Sequence, residues 1–196
     1  LMTISCTTAE SKLIVRFSDI QSDSITFFLL DNSLEEYEKT EAFAVTEGAA
    51  DYCIEGDKAR YVLISYGSGE GMARMLTYVV PGENGVLSGT SGEPQWEGDG
   101  FYAEMGKAHK ELSPFVNELK DLVADFNQKT EIAGMNVDSL RSVAMERYEE
   151  LNAKIEETRL NYIKANPKSE VALVYCLEIE DMESAYALVD NGVKKG

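Results

Sequence analysis

The tripeptide Gly98-Asp99-Gly100 divides this sequence into two halves with different hydrophobic spacing. Before it, short runs of alternating apolar and polar residues are separated by turn residues, a pattern typical of β-strands. After it, apolar residues recur every three or four positions over two long stretches, which indicates amphipathic α-helices. We therefore predict an α+β protein with a β-rich subdomain at residues 11–97 and a helical subdomain at residues 98–196, preceded by an N-terminal segment at residues 1–10.

The β-rich half contains about seven short strand-like segments. Leu13, Val15 and Phe17 share one face of the first segment, and the run from Tyr61 to Tyr66 is the most strand-like. No long helical pattern separates the segments, so parallel crossovers are disfavoured. This half is predicted to form an antiparallel β-sandwich or a partly open barrel.

The helical half is predicted to contain a long helical hairpin and two short helices. Asp99 is the predicted N-cap of the first long helix, and Pro114 should kink or divide it. A break at residues 134–136 leads into the second, which should end at Asn166-Pro167; Ser169 and Asp181 then cap the two short helices. The apolar stripes of the hairpin comprise Phe101, Met105, Ala108, Leu112, Phe115, Leu119, Leu122 and Phe126 on the first helix, and Leu140, Ala144, Tyr148, Leu151, Ile155 and Tyr162 on the second.

The charge of the chain limits its partners. Lys and Arg number 18 against 35 Asp and Glu, which gives a formal net charge of −17 spread over both halves. Such a field repels phosphate backbones, so no nucleic-acid partner is expected. No loop has the acidic spacing of a calcium-binding hand, and the cluster Glu178, Glu180, Asp181 and Glu183 is interpreted as helix capping, so no metal is expected.

Three cysteines are present, at positions 6, 53 and 176, and no two form a Cys-x-x-Cys pair. Local sequence therefore builds neither a zinc ribbon nor a dithiol redox centre. Cys53 and Cys176 lie in apolar runs, so we interpret both as small buried hydrophobic residues. A Cys53–Cys176 disulfide is the alternative that the sequence leaves open.

Cys6 follows Leu1-Met2-Thr3-Ile4-Ser5, a run that resembles the end of a bacterial lipoprotein signal. A small residue directly precedes Cys6, although Thr3 stands where leucine is usual and the charged part of a signal is absent. Either Cys6 is an acylated lipid anchor, or residues 1–10 are an ordinary disordered N-terminus. The sequence contains no run of about 20 apolar residues, so a tether is expected rather than a transmembrane span.

Residues that could carry catalysis are sparse. His109 is the only histidine and is interpreted as a surface or boundary side chain. The glycine-rich run at residues 67–71 lacks the Lys-Ser/Thr of a phosphate-binding loop and is interpreted as a turn. We therefore expect no catalytic site and no cofactor, and interpret Trp96 as a hydrophobic contact between the two halves.

Several motifs, taken in order, carry a family resemblance. They are the turn at Tyr78-Val79-Val80-Pro81-Gly82-Glu83, the segment Val86-Leu87-Ser88-Gly89-Thr90, the helix entry Gly98-Asp99-Gly100-Phe101-Tyr102 and the helix end Tyr162-Ile163-Lys164-Ala165-Asn166-Pro167-Lys168-Ser169. Over roughly residues 11–190 the chain resembles a domain of unknown function. That domain precedes the thioredoxin-like domain in TlpA/ResA and AhpC/TSA-like lipoproteins of gut anaerobic bacteria.

The resemblance implies an accessory role in the cell envelope of a Gram-negative bacterium. In that family the redox chemistry belongs to a downstream domain with a Trp-Cys-x-x-Cys motif, which this chain lacks, so no catalytic residue is carried over. The implied work is positioning the redox domain, forming a homodimer or binding client proteins. The alternative is a self-standing surface lipoprotein that binds a peptide, glycan or small ligand; an enzyme in its own right ranks last.

Overall fold

A computed structural model describes residues 11–30, 37–67, 73–90, 92–132 and 136–195. These residues form an α+β protein, as predicted, with eight strands, four α-helices and a 3-10 helix at Val193–Lys195. The strands are β1 (Lys12–Val15), β2 (Ser24–Leu30), β3 (Tyr37–Ala44), β4 (Ala50–Cys53), β5 (Arg60–Tyr66), β6 (Ala73–Val79), β7 (Gly85–Thr90) and β8 (Glu93–Gly98). The helices are α1 (Gly100–Thr130), α2 (Val137–Ala165), α3 (Glu170–Cys176) and α4 (Met182–Leu188).

The strands form two four-stranded sheets, ordered β4-β1-β7-β8 and β3-β2-β5-β6, and neither closes into a barrel. Two details of the sequence-based expectation are wrong. β1 and β7 pair in parallel, with Leu13 opposite Gly85, so the first sheet is mixed rather than antiparallel. β8 is an additional strand, which the sequence hides because Trp96 is its only buried residue.

Alternation of apolar side chains builds the interior of the β-rich unit. Leu13, Val15 and Ile25 are fully buried, as strand periodicity predicts. Aromatic rings from both sheets meet there: Phe27 of β2 stacks on Tyr52 of β4 with 4.7 Å between ring centroids. Such pairs add specific geometry to the free energy gained by removing the rings from water.

The chain divides into two units, one through Gly106 and the other from Lys107 to Lys195. The sequence places the boundary at residue 98, before α1, whereas the division falls inside α1. The cause is the packing of the first turns of α1 within the β-rich unit. Gly106 shows how close this packing is, because a Cβ at this position would lie 2.4 Å from the carbonyl oxygen of Trp96.

The start of α1 is capped by a residue that the sequence analysis did not select. Asp99 holds the N-cap position, since its carbonyl oxygen accepts the Tyr102 amide at 2.9 Å. The side-chain cap is nevertheless Glu83, whose Oε2 accepts the Phe101 amide at 2.7 Å. The Asp99 carboxylate instead accepts a 3.4 Å hydrogen bond from the side-chain Nδ2 of Asn84. Glu83 is distant in sequence, so local capping rules do not identify it.

Replacing Glu83 with alanine should therefore lower the free energy of unfolding by about 1 kcal/mol, because the first turn of α1 loses an accepted hydrogen bond. Chemical denaturation followed by circular dichroism measures the change. Asp99→Ala is the matched control and should cost less than half as much. An equal or larger loss in the Asp99 variant would contradict the assignment of the cap to Glu83.

Pro114 does not divide α1, which continues unbroken to Thr130. Proline has no amide hydrogen, so the carbonyl oxygen of Lys110, four residues earlier, loses its normal donor. The Ser113 hydroxyl donates to this oxygen at 3.1 Å instead. The neighbouring serine thus compensates for the proline.

The remaining helix boundaries agree with the sequence. The Asn136 side chain caps α2 by accepting the Ser139 amide, and Asn166 ends that helix. Ser169 and Asp181 cap α3 and α4 as predicted. The C-terminal half of α2 then buries Leu151, Ile155 and Ile163, and α3 packs beside it.

Candidate interaction surface

Each apolar stripe of the hairpin is buried along one part of its helix and uncovered along the other part. On α1, Phe101, Met105, Ala108 and Leu112 are buried, and on α2 burial begins at Leu151. Between these points, no described residue in the ranges 113–132 and 136–150 is buried. We call Ser113–Thr130 of α1 and Val137–Glu150 of α2 the distal arm. The distal arm thus carries apolar stripes that its own two helices do not cover.

An apolar groove runs along the distal arm. It encloses about 240 Å³ and is lined by Leu122, Val123, Phe126, Arg141, Ala144, Met145 and Tyr148. Val123, Met145 and Tyr148 remain 45%, 48% and 41% exposed, which is high for large apolar side chains. An exposed apolar groove between two helices is a shape that a partner helix can occupy. We call this feature the arm groove.

One ion pair links the two helices of the distal arm, and two further pairs lie along α2. The Arg147 guanidinium contacts Glu118 of α1 and Glu150 of its own helix, and Lys154 also binds Glu150. Hydrogen bonds from Lys154 and Arg147 lower the pKa of Glu150 to about 2. All four side chains are substantially exposed, so these pairs add little stability and mainly set the alignment of the helices.

Beside the C-terminal half of α2, side chains of that helix cluster around Tyr175 of α3. The Arg159 guanidinium carbon lies 5.9 Å from the centre of the Tyr175 ring, and Tyr162 meets the same ring edge-on at 5.3 Å. Arg159 also binds the carboxylate and carbonyl of Glu178. Burial raises the pKa of Tyr175, whose hydroxyl has no hydrogen-bond partner in the described part of the chain.

Tyr175→Phe should therefore leave the protein equally stable or about 1 kcal/mol more stable, because it removes a buried hydroxyl that forms no hydrogen bond with any described residue. Urea denaturation measures the difference. Tyr162→Phe is the control: its hydroxyl lies 3.4 Å from Ser169 Oγ, and its loss should destabilise the protein. A loss of stability in the Tyr175 variant would show that this hydroxyl has a partner.

His109 lies at the boundary between buried and exposed positions, as predicted. Burial, then the positive charges of Lys120 and Arg159, lower its pKa, so the ring is neutral at physiological pH. Trp96 is 9% exposed and contacts Phe101 and Tyr102 at ring distances of 6.0 and 6.5 Å. All three aromatic residues belong to the unit that ends at Gly106.

The cysteines differ in oxidation state. Cys53 and Cys176 are both buried, as predicted, but Cys53 is disulfide-bonded whereas Cys176 is a free thiol whose pKa is raised by burial. The Cys53–Cys176 bridge left open by the sequence is therefore wrong. Cys6 lies outside the described residues.

We expect the unfolded, non-reduced chain to take up one iodoacetamide and the reduced chain to take up three, because the sequence contains three cysteines and Cys176 is free. Intact-mass spectrometry counts the labels, and peptide mapping identifies the sulfur joined to Cys53. A thioether-linked lipid would occupy the sulfur of Cys6, so a Cys6–Cys53 disulfide and a lipid anchor exclude each other. Three labels without reduction would contradict the disulfide.

Two residues of the acidic group near α4, Asp181 and Glu178, make local side-chain contacts. Asp181 Oδ1 accepts the Ser184 amide at 3.2 Å, and Glu178 pairs with Arg159. Among the described residues, no three histidine, cysteine or acidic side chains are grouped so that they could hold a metal ion. Likewise, no described helix is long and apolar enough to cross a membrane.

No protein-family model matches the chain, and no curated protein sequence is significantly similar to it.

The arm groove is the site that sequence analysis located only in part. The apolar stripe containing Leu122, Phe126, Ala144 and Tyr148 was identified, but periodicity does not show which part of a stripe stays uncovered. Val123 and Met145, which are 45% and 48% exposed, lie beside the predicted stripes. The charged residues that lie between these apolar positions are the signal that the sequence offers, because such a mixture is typical of a helix face that is only half buried.

Proposed function

We propose that this chain is a non-catalytic accessory domain of a cell-envelope thiol–disulfide oxidoreductase and that it acts through protein contacts at the distal arm. The uncovered arm groove carries the proposal, because an apolar groove between two helices suits an amphipathic helix or a second hairpin. The motifs at residues 78–90, 98–102 and 162–169 support the assignment to this class by resemblance.

The disulfide at Cys53 supports the proposed location in the envelope of a Gram-negative bacterium. Disulfides persist in oxidising compartments and are rare in the cytosol. The stacking of Phe27 on Tyr52 supports the finer architecture that we propose for the β-rich unit, an open sandwich of the two sheets.

The proposal is tested in two steps. The coding sequence after residue 196 should encode a thioredoxin-like domain with a Cys-x-x-Cys motif. In an assay with dithiothreitol, the purified 196-residue chain should not reduce insulin disulfides faster than dithiothreitol does alone. The longer protein should accelerate this reaction. Turnover by the 196-residue chain alone would overturn the proposal.

The second candidate, a self-standing surface lipoprotein, is favoured by the same groove if its occupant is a free peptide. Fluorescence-detected binding of amphipathic peptides to the chain, compared with Met145→Glu, distinguishes this candidate. Tight binding that the substitution abolishes, together with a stop codon after residue 196, would favour it over the accessory domain.

A further inference from the structure

We propose that Asn191 is a site of spontaneous deamidation, at which the carboxylate of Asp190 acts as the general base and water is the only other reactant. The inference goes beyond the proposed function, because it concerns the turn that follows α4 and not the arm groove. Three observations carry it: the sequence Asn191-Gly192, the exposure of this turn and the hydrogen bond between the Gly192 amide and Asp190.

The reaction joins a side chain to the backbone of the next residue. The backbone nitrogen of Gly192 attacks Cγ of Asn191, the new N–C bond closes a five-membered succinimide ring, and the side-chain amide leaves as ammonia. Water then opens the ring at either carbonyl and gives an aspartate or an isoaspartate at position 191. The net change is the loss of ammonia and the gain of water. Glycine favours ring closure because it has no side chain to crowd the nitrogen or restrict the backbone.

The turn between α4 and the 3-10 helix presents the reacting groups to solvent. Asn191 and Gly192 are both exposed. Within the part of the chain that the structure describes, no hydrogen bond holds the Asn191 carboxamide. This side chain can therefore rotate toward the Gly192 nitrogen, and water can reach the ring that forms.

Asp190 places a base at the attacking nitrogen. Its Oδ1 accepts the Gly192 amide hydrogen at 2.8 Å, which is within the range required of a general base. The backbone of Asp190 is fixed as well: its amide donates to the carbonyl oxygen of Pro167 at 2.7 Å, and its carbonyl oxygen accepts the Lys194 amide at 3.3 Å. The carboxylate can thus take the amide proton as the N–C bond forms and return it to the departing ammonia.

The other Asn-Gly pair in the sequence, Asn84-Gly85, is held in place. Asn84 Oδ1 accepts the Lys12 amide at 3.2 Å, and Asn84 Nδ2 donates to Asp99 at 3.4 Å. Gly85 is buried in β7, where it pairs with both β1 and β8, and an added Cβ would lie 2.5 Å from the Tyr102 ring. Ring closure would have to break these contacts, so Asn84 is a control within the same molecule.

The products change the turn after α4. Each adds a negative charge beside Asp190, and the isoaspartate also lengthens the backbone by one methylene group. The longer backbone no longer matches the hydrogen bond from the Lys194 amide to the Asp190 carbonyl oxygen. Modification should therefore loosen the 3-10 helix, while the bond from Asp190 to Pro167 lies before the altered position and remains.

Ageing of the purified 196-residue chain at neutral pH, followed by peptide mapping with mass spectrometry, measures deamidation at each asparagine. We expect Asn191 to react at least tenfold faster than Asn84. Equal rates at the two positions would overturn the site.

Asp190→Asn tests the base, because an asparagine keeps an acceptor for the Gly192 amide but cannot take its proton. We expect this variant to slow the reaction at Asn191 at least fivefold; peptide mapping separates it from any reaction at position 190. Glu183→Gln is the matched control: it removes one exposed carboxylate from α4, and it should change the rate less than twofold.

A rate at Asn191 that is unchanged or faster in Asp190→Asn would overturn the role of Asp190, since its carboxylate would then restrain the turn instead of acting as a base. Equal slowing by Asp190→Asn and Glu183→Gln would overturn it too, because the effect would follow the net charge. Circular dichroism confirms that each variant keeps the wild-type helicity.

Discussion

Gly98→Ala should lower the free energy of unfolding of the β-rich unit by about 3–5 kcal/mol, the sum of a strained backbone and an overpacked contact. Gly98 ends β8 with a φ of 139°, which side-chain-bearing residues rarely adopt. A Cβ at this position would lie 2.1 Å from the carbonyl oxygen of Asn84. That oxygen already accepts the Asp99 amide at 2.9 Å, so it cannot move away without breaking the entry to α1.

Thermal unfolding followed by tryptophan fluorescence reports on the β-rich unit, because Trp96 is the only tryptophan in the sequence and lies in the same strand as Gly98. At about 2–4 °C per kcal/mol, the midpoint should fall by about 6–20 °C. Gly92→Ala is the matched control, since a Cβ there would meet no atom within 4 Å. A Gly98 variant that melts together with the Gly92 variant would contradict the close approach of Gly98 to Asn84.

Trp96→Ala should destabilise the same unit by about 3–5 kcal/mol, the usual cost of removing a large buried aromatic side chain. The indole contacts both Phe101 and Tyr102, which begin α1, so its loss leaves a cavity where the helix packs on β8. Far-ultraviolet circular dichroism follows unfolding of this variant, since it has no tryptophan to observe.

Trp96→Phe provides the comparison, because a smaller ring retains part of the aromatic contact and should cost less than half as much. Wild-type emission should be blue-shifted relative to that of the unfolded chain, as expected for an indole that is 9% exposed. Emission typical of an indole in water, or a Trp96→Ala variant that unfolds at the wild-type denaturant concentration, would contradict this packing.

The candidate site shows most clearly what a sequence pattern does not determine. The spacing of Leu112, Phe115, Leu119 and Leu122 is uniform along α1, yet Leu112 is buried and the other three are only partly covered. Periodicity establishes that such residues share a face of the helix. Which neighbour covers that face depends on the length and position of other elements, and these are set by the whole fold.

Two polar contacts of α1 were also not predicted, one between residues distant in sequence and one local. Glu83 caps α1 from a turn that precedes β7, and Ser113 compensates for Pro114 by bonding Lys110. The second contact is local and could have been anticipated from the serine that precedes the proline. The first joins residues 18 positions apart, and no local rule links them.

By itself, the sequence determined the elements that depend on neighbouring residues: the strand-to-helix change at Gly98-Asp99-Gly100, the break at residues 134–136, the caps at Ser169 and Asp181, and the end of α2 at Asn166. Only the tertiary structure decided the parallel pairing of β1 with β7, the presence of β8, the division inside α1 and the uncovered arm groove. The physical reason is the separation in sequence over which each kind of interaction acts. Capping and periodicity operate over three or four residues, whereas strand pairing and burial are settled by free energies shared among segments far apart in the chain.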